Sequence, residues 1–573
     1  MLSFRAGALA IILVGVVFAG CLTNDAPTSG DQFQPVQKRP AGAPVYISEQ
    51  FPEPVLKCYD GNRCNQEMTP DDGRQGNEVT IAVDPTNPKN IVGGAKDYYP
   101  PDAGECVWDG VYVTHDGGAT TYEDRSFDGS PWRALQDPTT FQPNYASQYW
   151  CTTDPVVYFN TAGTFYYLLM AYQGDPVTGS KTGEELPGGN PPGWPGALND
   201  FAFNRAVQIV AVSDDGGDTF HTFTPVLEGT FPVNFHDKGW LAASADGTIH
   251  VMWLSVVAGG NLYFRSTDGG ETYPPQDMEV LAPFLLGGGQ GSFLDVGTGD
   301  EVYAIWGSGG GVTMRRSMDT GETWDEARTV FDTTGRNMPG LSPRDRVRGG
   351  FPALASDRFA DSPYADNLYI AWTDGRYGDA TDILFSASTD KGDSWTEPIV
   401  LNDDYLPNGT VDPNNWQFFA TVGVSPLGVI DVSWVDTRNV GTGVLLDNNG
   451  GSPDLVGQEH LKLDQYHTYS LDGGKTWSQN FRVRDIEDGG WDPQFCHHQN
   501  GMIFIGDYND IDSSVGAAHP VWPDTRSGNH CDVYTAIVQR PIFPEDFSEE
   551  KKAEWRQKLV SEGLVDADHP FLN

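Results

Sequence analysis

Short apolar runs recur along most of the chain, and clusters of Gly, Pro, Asn, Asp and Ser separate them. The runs are rich in β-branched and aromatic residues, which is typical of β-strands bounded by turns. They form seven units, whose first predicted strands begin at residues 79, 155, 240, 291, 351, 418 and 502. The seventh unit continues through residues 519–522 and 533–537. This pattern predicts an all-β protein built from a repeated unit.

Six of the seven units contain one short motif, Ser/Thr-x-Asp-x-Gly-x-Thr/Ser followed by an aromatic residue. Its carboxylate can accept hydrogen bonds from backbone N–H groups of its own turn, and its glycine permits positive φ. The aromatic residue is a large apolar body that can wedge between sheets. In the first copy it comes one place late, at Tyr122. The six aspartates are Asp116, Asp215, Asp268, Asp319, Asp390 and Asp472.

These motifs are Asp boxes, and over about residues 44–540 the chain resembles the BNR/Asp-box, sialidase-type β-propeller superfamily. The resemblance implies a β-propeller in which the boxes join third and fourth strands and their aspartates are structural. Seven units predict seven blades, with the six blades of the sialidases as the alternative. The seventh unit lacks both a box and a fourth strand. We expect residues 44–48 to supply that strand and close the ring, which leaves no free sheet edge.

The two ends of the chain carry other signals. Arg5 precedes an apolar stretch, and Phe18-Ala-Gly-Cys21 resembles a lipobox, which predicts a signal peptide over 1–20 and lipidation of Cys21. A polar tether follows over 21–43, the propeller spans 44–541, and a helical tail spans 542–573. The helix is predicted over 547–562, with Asp546 and Glu549 at its start. An ordinary signal peptide or an uncleaved anchor would equally place the body outside the cytoplasm, and a lipidated cysteine predicts the cell surface.

The net charge and the cysteines restrict the possible partners of the protein and predict its disulfides. Acidic residues outnumber basic ones 79 to 35, for a formal net charge of −44. Nucleic acid is therefore excluded as a partner, because phosphate binding needs clustered Lys and Arg. We expect a monomer that touches the membrane only through its anchor. Six cysteines besides Cys21 predict three disulfides by proximity, namely Cys58–Cys64, Cys106–Cys151 and Cys496–Cys531. A metal site using Cys496, His497 and His498 is the alternative.

A second repeat follows three predicted second strands. It reads Trp-x-Asp-x-Arg, and its charged pairs are Asp374 with Arg376, Asp436 with Arg438, and Asp524 with Arg526. In a propeller these positions lie on the face opposite the boxes, where ligands usually bind. Guanidinium groups suit planar carboxylates, so the three arginines could bind a ligand such as sialic acid. The alternative is that each arginine pairs with the aspartate two residues before it or with one from a neighbouring blade.

Catalytic candidates lie outside the repeats. A sialidase-type hydrolase needs an activated tyrosine nucleophile and a carboxyl acid/base. Tyr508, beside Asp507 and Asp510, is the candidate nucleophile, and Asp237 or Asp154 could be the acid. Lys238, next to Asp237, is a candidate ligand-binding residue.

Aspartate-rich loops suggest calcium as a candidate ligand. Asp357, Asp361 and Asp366 form one group, and Asp403, Asp404 and Asp412 form another. Hard carboxylate oxygens suit Ca²⁺, although neither group has EF-hand spacing. A solvated loop explains both groups equally, and no cofactor is required.

Three functions are compatible with the sequence. The first is a lipid-anchored surface propeller that binds a glycan or a cell-surface protein at its axial mouth without catalysis. The second is an exo-acting glycoside hydrolase of sialidase type. The third is a structural or assembly protein of the cell envelope. They differ in what lies at the axial mouth: converging carboxyl groups for a hydrolase, exposed aromatic residues for a binder, or a flat apolar patch for a structural protein.

Overall fold

The computed structural model describes eighteen segments of the chain. These segments are residues 47–48, 50–59, 63–69, 75–98, 107–124, 151–172, 206–229, 236–255, 259–274, 285–308, 310–336, 351–377, 380–404, 415–439, 462–486, 490–499, 502–527 and 530–572. The predicted signal peptide, Cys21 and the tether lie outside these residues. So do Cys106 and the side chain of Cys151.

Seven antiparallel sheets form the blades of a β-propeller, which confirms the predicted fold class and blade number. The N-terminal segment forms β1 (Val55–Leu56) and β2 (Asn65–Glu67). Blade one contains β3 (Gln75–Val83), β4 (Ile91–Tyr98), β5 (Val107–Thr114) and β6 (Glu123–Asp124). Blade two contains β7 (Cys151–Phe159), β8 (Phe165–Tyr172), β9 (Ala206–Ser213) and β10 (Thr222–Gly229). Blade three contains β11 (His236–Ala243), β12 (Ile249–Ser255), β13 (Gly260–Ser266) and β14 (Leu285–Gly287).

The second half of the ring repeats this arrangement. Blade four contains β15 (Gln290–Val296), β16 (Val302–Ser308), β17 (Gly311–Ser317) and β18 (Arg328–Asp332). Blade five contains β19 (Ala353–Ser356), β20 (Leu368–Asp374), β21 (Asp382–Ser388) and β22 (Ile399–Val400). Blade six contains β23 (Gln417–Val424), β24 (Ile430–Asp436), β25 (Asp464–Ser470) and β26 (Phe481–Arg482). A 3₁₀ turn (Pro493–Phe495) and a short hairpin, β27 (His498–Gln499) with β28 (Met502–Ile503), follow. Blade seven contains β29 (Asp510–Ser513), β30 (Ala517–Asp524), β31 (Asp532–Ala536) and β32 (Val538–Gln539).

The first strand of every blade contacts the first strands of its two neighbours, so these seven strands surround the central axis. Apolar side chains fill the spaces between blades, in clusters that each join adjacent sheets. Because the sheets are covered on both faces, β12 and β20 read as nearly continuous apolar runs rather than as alternating ones. Five second strands each bury one indole completely: Trp253, Trp306, Trp372, Trp434 and Trp522.

An N-terminal strand closes the ring, but it is not the predicted one. In blade seven the order is β29, β30, β31 and then β2, and Gln66 of β2 lies opposite Thr535. Residues 44–46 lie outside the described segments, and Ile47 instead forms an isolated parallel bridge with Trp477 of blade six. Residues 65–67 are polar, Asn-Gln-Glu, and therefore lack the apolar pattern that made residues 44–48 the better candidate.

The six repeated turns share one hydrogen-bond pattern between third and fourth strands. In each turn, one carboxylate oxygen of the aspartate accepts a bond from the hydroxyl two residues earlier, at 2.6 to 2.9 Å. The aspartate also accepts from the backbone N–H and the hydroxyl four residues later. The carboxylates are thus fully occupied within their own turns, as a structural role requires.

Replacing one such aspartate should cost a modest amount of stability. For Asp390→Ala we expect a loss of about 1 kcal/mol, comparable to the loss of a helix cap, because two hydroxyls and one N–H lose their acceptor. Hydrogen bonds from Ser394 lower the pKa of Asp390 from 3.8 to about 2. Its contribution is therefore complete above pH 3.8 and is lost as the pH falls through about 2.

Urea unfolding followed by tryptophan fluorescence measures the difference. The control is Asp393→Ala in the same turn, which removes only a surface contact with Arg316 and should cost less. Equal losses for the two variants would contradict a structural role for the repeated carboxylate.

The C-terminal tail packs on the same end of the propeller as the six turns. Its helix α1 (Glu549–Ser561) begins at Ser548, whose side chain accepts a bond from the Lys551 N–H. The predicted cap, Asp546, instead accepts a bond from the Tyr364 hydroxyl at 2.9 Å. Phe547 and Leu559 are buried with apolar residues of the first turns of blades six and seven. Within the described segments, no helix is long and apolar enough to cross a membrane.

Two of the three predicted disulfides are present. Cys58 is bonded to Cys64, beside β2, and Cys496 is bonded to Cys531, between the 3₁₀ turn and β31. Because Cys496 is engaged in a disulfide, it is not a ligand of the alternative metal site. Disulfides are typical of proteins that fold outside the reducing cytosol.

Candidate functional site

The inner strands carry β-bulges near their beginnings. The pairing of first and second strands shifts after Asn77, Thr153, Asp237, Gln290 and Phe418. Four residues at these bulges have positive φ although none is glycine: Glu78 at 50°, Asp154 at 60°, Lys238 at 50° and Phe419 at 55°. Strained backbone and bulges of this kind concentrate at functional sites, where they redirect side chains.

Three of the redirected side chains meet at the mouth of the axial channel. The Lys238 ammonium lies 2.5 Å from a Glu78 oxygen, 3.0 Å from Asp507 and 3.3 Å from Asp154. Lys96, at the end of β4, lies 2.7 Å from the other Glu78 oxygen. We call Glu78, Lys96, Asp154, Lys238 and Asp507 the mouth cluster. It joins blades one, two, three and seven through two ammonium groups and three carboxylates.

The cluster keeps its charges because they compensate one another. Burial opposes the charge of Lys238, but Asp154, Asp507 and Glu78 outweigh it and raise the lysine pKa well above 10.5. Burial likewise favours the neutral form of Glu78, yet Lys238 and Lys96 lower its pKa from 4.5. Buried charges persist only when they are paired in this way.

The mouth cluster borders partly exposed side chains. Asp237 and Trp240 flank Lys238 on β11 and reach solvent. Asp237 accepts a bond from the Gln290 amide at 3.0 Å, and the Trp240 ring lies 3.8 Å from that of Phe293. Tyr98, also partly exposed, stacks on His497 at 3.8 Å. The rim of the mouth therefore presents aromatic faces together with hydrogen-bonding groups.

Tyr508 is buried beside the mouth cluster. The Lys238 ammonium lies 5.5 Å from its ring centroid, and Trp240 meets the ring edge-on at 6.3 Å. Burial, reinforced by Asp154, raises the pKa of Tyr508 well above 10. The neighbouring carboxyl of Asp510 is engaged elsewhere, since it accepts the backbone N–H of Ile81, and burial raises its pKa to about 8.

Asp109 of β5 is a further acidic residue next to the mouth cluster. It lies opposite Lys96 in the strand register, and its backbone N–H donates to Thr152 of blade two at 2.7 Å. Its carboxyl is buried, and neither oxygen has a hydrogen-bond partner among the described residues. Burial, and then the neighbouring Asp154, raise its pKa well above 3.8. Asp109 is thus a buried carboxyl with a raised pKa beside the mouth cluster.

The three repeated arginines do not face the mouth cluster as free cations. Arg376, Arg438 and Arg526 each lie 2.7 Å from the aspartate two residues earlier, Asp374, Asp436 and Asp524. The indole N–H of the preceding tryptophan donates to the same carboxylate. Arg438 and Arg526 also stack on tyrosines of their third strands. Arg438 also pairs with Asp403, after blade five, and Arg526 with Asp485, after blade six. Each arginine is therefore paired with the aspartate two residues before it, and two of them also with an aspartate next to the preceding blade.

The opposite end of the axis is occupied by Arg358. From the first turn of blade five, its guanidinium donates to the Tyr158 hydroxyl of blade two at 2.6 Å and to Asp295 of blade four at 3.3 Å. Asp512 of blade seven adds attraction, and these groups outweigh burial to raise the arginine pKa. Arg358 thus links blades two, four and five at the end of the axis opposite the mouth cluster.

The predicted calcium groups make contacts with protein side chains. Asp357 accepts from the Ser362 hydroxyl at 2.5 Å, and Asp366 accepts from Thr298 and lies 3.1 Å from Lys391. Asp361 is exposed. Asp404 accepts amide bonds from Asn402, Asn415 and Gln417, while Asp412 lies outside the described segments. No group of three potential metal ligands is found in the part of the chain that the structure describes.

Four residues of the site were already candidates from the sequence: Asp154, Asp237, Lys238 and Asp507. In the structure all four lie around the axial mouth. Glu78, Lys96 and Asp109 were missed because no motif surrounds them, and Glu78 immediately precedes the first predicted strand. The available signal was the charge itself, because each of these residues stands next to residues of a buried strand, where a charged side chain needs a partner.

No protein-family model matches the chain, and no curated protein matches it. Among solved structures, a Hadza microbial sialidase is 16% identical, with a TM-score of 0.38 and 63% of each chain covered. A Dyadobacter fermentans protein of unknown function is 11% identical, with a TM-score of 0.41 over 83% of this chain and 98% of that one. An α-L-arabinofuranosidase of Fusarium graminearum is 11% identical, with a TM-score of 0.36 over 83% and 96%. The structural neighbours thus include glycoside hydrolases at low identity.

Proposed function

We propose that this chain is an exported, lipid-anchored propeller that binds a glycan at its axial mouth without cleaving it. The observation that carries the proposal is the mouth cluster with its partly exposed rim. Sugar rings pack on aromatic faces, as offered by Trp240 and Tyr98, and their hydroxyls need donors and acceptors, as offered by Lys96 and Asp237.

Two observations argue against sialidase-type catalysis. The buried Tyr508 hydroxyl has a raised pKa, whereas a nucleophile needs a lowered one or an adjacent base. The three repeated arginines are committed to their own aspartates and are not available as a carboxylate-binding triad. Export and lipidation of Cys21 rest on the N-terminal sequence, and the two disulfides support the extracytoplasmic location.

Binding can be tested with the purified protein on a glycan array, followed by calorimetry with the strongest ligand. We expect saturable binding that falls at least about tenfold, or about 1.4 kcal/mol, in Asp237→Ala and in Trp240→Ala. Asp246→Ala is the control, because Asp246 lies in the first turn of the same blade at the opposite end of the axis. Absence of glycan binding, or an equal loss in the control, would overturn the proposal.

A second candidate, glycoside hydrolysis by paired carboxyl groups, is favoured by Asp109 alone. A buried carboxyl with a raised pKa near Glu78, whose pKa is lowered, is the arrangement expected of a general acid next to a base or nucleophile. A panel of 4-methylumbelliferyl glycosides, including a sialoside, separates the two functions. If the chain only binds its glycan, no turnover is expected. Turnover that survives in Tyr508→Phe and disappears in Asp109→Asn would instead establish the carboxyl-type hydrolase.

A further inference from the structure

A cavity of about 370 Å³ lies between blades four and five, away from the axial mouth. One wall is β18, the fourth strand of blade four, and the other is the segment 392–398 that follows the repeated turn of blade five. Its size falls within the range of small-molecule sites, roughly 300–1,000 Å³. Polar groups and one indole line it together, which is the composition of a ligand site rather than of a gap in an apolar core.

Trp395 differs from the residues at the same position in blades three and six. Those residues, Tyr273 and Trp477, are completely buried. The Trp477 indole N–H donates to the carbonyl of Gly474 at 3.2 Å. Trp395 is instead partly exposed, lines the cavity and meets Phe331 edge-on at 5.5 Å. Its indole N–H is buried and has no hydrogen-bond partner among the described residues, as is also the case for Trp324 in blade four.

Arg328 supplies a second unsatisfied donor in the same cavity. One of its terminal nitrogens donates to the carbonyl of Gly392, whereas its Nε has no partner among the described residues. A buried donor without an acceptor costs about 1–3 kcal/mol. A ligand with oxygen acceptors, entering between β18 and Trp395 with a small shift of these side chains, would remove that cost for both donors.

The remaining lining groups define the class of ligand. Asp393 and Glu397 present carboxylates at the exposed edge, where they can accept bonds from hydroxyl groups, and Thr329 adds a hydroxyl. Asp393 is paired with Arg316, so Glu397 balances Arg328 and the lining has no excess positive charge that would favour an anionic ligand. A flat indole face, unsatisfied donors and exposed acceptors together fit a neutral polyhydroxylated ring.

We propose that the cavity between blades four and five binds one or two residues of a neutral saccharide, with its ring against Trp395. This site is separate from the axial mouth and does not depend on the function proposed there. It would give the propeller a second point of attachment to a carbohydrate surface.

Saturation-transfer NMR with maltose, cellobiose, lactose and N,N′-diacetylchitobiose at millimolar concentration tests the site. We expect saturable binding of at least one neutral disaccharide, and weaker binding of its uronic-acid counterpart. Trp395→Ala should weaken the binding about tenfold or more, and Trp395→Phe, which keeps an aromatic body but removes the N–H donor, should weaken it several-fold. Circular dichroism establishes that each variant is folded.

Two control variants distinguish binding in this cavity from binding elsewhere on the propeller. Trp324→Ala changes the equivalent tryptophan of blade four, which is also partly exposed but does not line the cavity, and it should leave binding unchanged. Asp237→Ala at the axial mouth should leave it unchanged as well. The proposal is overturned if no neutral disaccharide binds saturably, if Trp324→Ala weakens binding as much as the Trp395 variants do, or if Asp237→Ala alone abolishes it.

Discussion

Lys238→Met should destabilise the propeller by about 3–5 kcal/mol at neutral pH, because it leaves three buried carboxylates without their shared cation. Met keeps most of the volume of the side chain, so loss of charge rather than loss of packing dominates the effect. Glu78, which is completely buried, would retain only Lys96 as its partner. Urea unfolding followed by tryptophan fluorescence provides the measurement.

The stability lost in Lys238→Met should depend on pH in a defined direction. Lys238 and Lys96 lower the pKa of Glu78 below 4.5 in the folded protein. The stability that Glu78 gains from its partners is therefore complete above pH 4.5 and is lost as the pH falls through the lowered value. The difference between the parent protein and Lys238→Met should be constant near neutral pH and should shrink in acid.

A matched control is available in the same chain. Lys391 also has positive φ and lies near two carboxylates, Glu301 at 2.5 Å and Asp366 at 3.1 Å, but its side chain is 32% exposed. Lys391→Met should therefore cost no more than about 1 kcal/mol. If both variants lost the same stability, or if the Lys238→Met deficit persisted unchanged in acid, the buried ion pairs would not be what stabilises the mouth.

The propeller could be predicted from the sequence because its turns repeat. The Ser/Thr-x-Asp-x-Gly-x-Thr/Ser motif carries its own hydrogen bonds, so its geometry depends little on the rest of the chain. The seven groups of strands then indicated the blade number. The Trp-x-Asp-x-Arg repeat was equally local: each aspartate holds the tryptophan before it and the arginine after it. Local chemistry that recurs from blade to blade is structural chemistry.

The mouth cluster could be predicted only in part, because its geometry depends on backbone features that leave little trace in the sequence. Glu78, Asp154 and Lys238 reach the axis through bulges with positive φ, a conformation normally indicated by glycine. Only Gly506 and Gly291 mark the equivalent positions in other blades. In the sequence, a charged residue with positive φ looks like an ordinary strand residue. Its partner can belong to another blade, far along the chain, as Lys238 of blade three does for Glu78 of blade one.

The closing strand was misassigned for a related reason. Apolar alternation favoured residues 44–48, whereas β2 consists of three polar residues whose pairing is determined by what surrounds it. Asp485 accepts the backbone N–H groups of Cys64 and Asn65, and Arg526 donates to the Asn65 side chain. These contacts come from blades six and seven, at the other end of the propeller sequence. Patterns among neighbouring residues in the sequence carry no information about these long-range contacts.

Met68→Pro should have the largest effect on ring closure. Met68 follows β2 directly, and its N–H donates to the Val533 carbonyl of β31 at 2.8 Å, a bond that proline cannot make. Its side chain is 2% exposed and packs among residues of blades one and seven. Losing a buried methionine side chain costs about 2–5 kcal/mol, and the lost backbone bond and the altered φ add to it. We expect a loss of at least about 3 kcal/mol in urea unfolding.

Hydrogen exchange distinguishes ring opening from a general loss of packing. In Met68→Pro the amides of β31 should exchange faster, because the strand becomes a free edge of blade seven, whereas those of β20 in blade five should stay protected. Met68→Leu keeps the N–H and nearly the same volume, so it should cost less than about 1.5 kcal/mol and leave β31 protected. If proline left exchange of β31 unchanged, then closure of the ring would depend on the disulfides and the C-terminal tail rather than on β2.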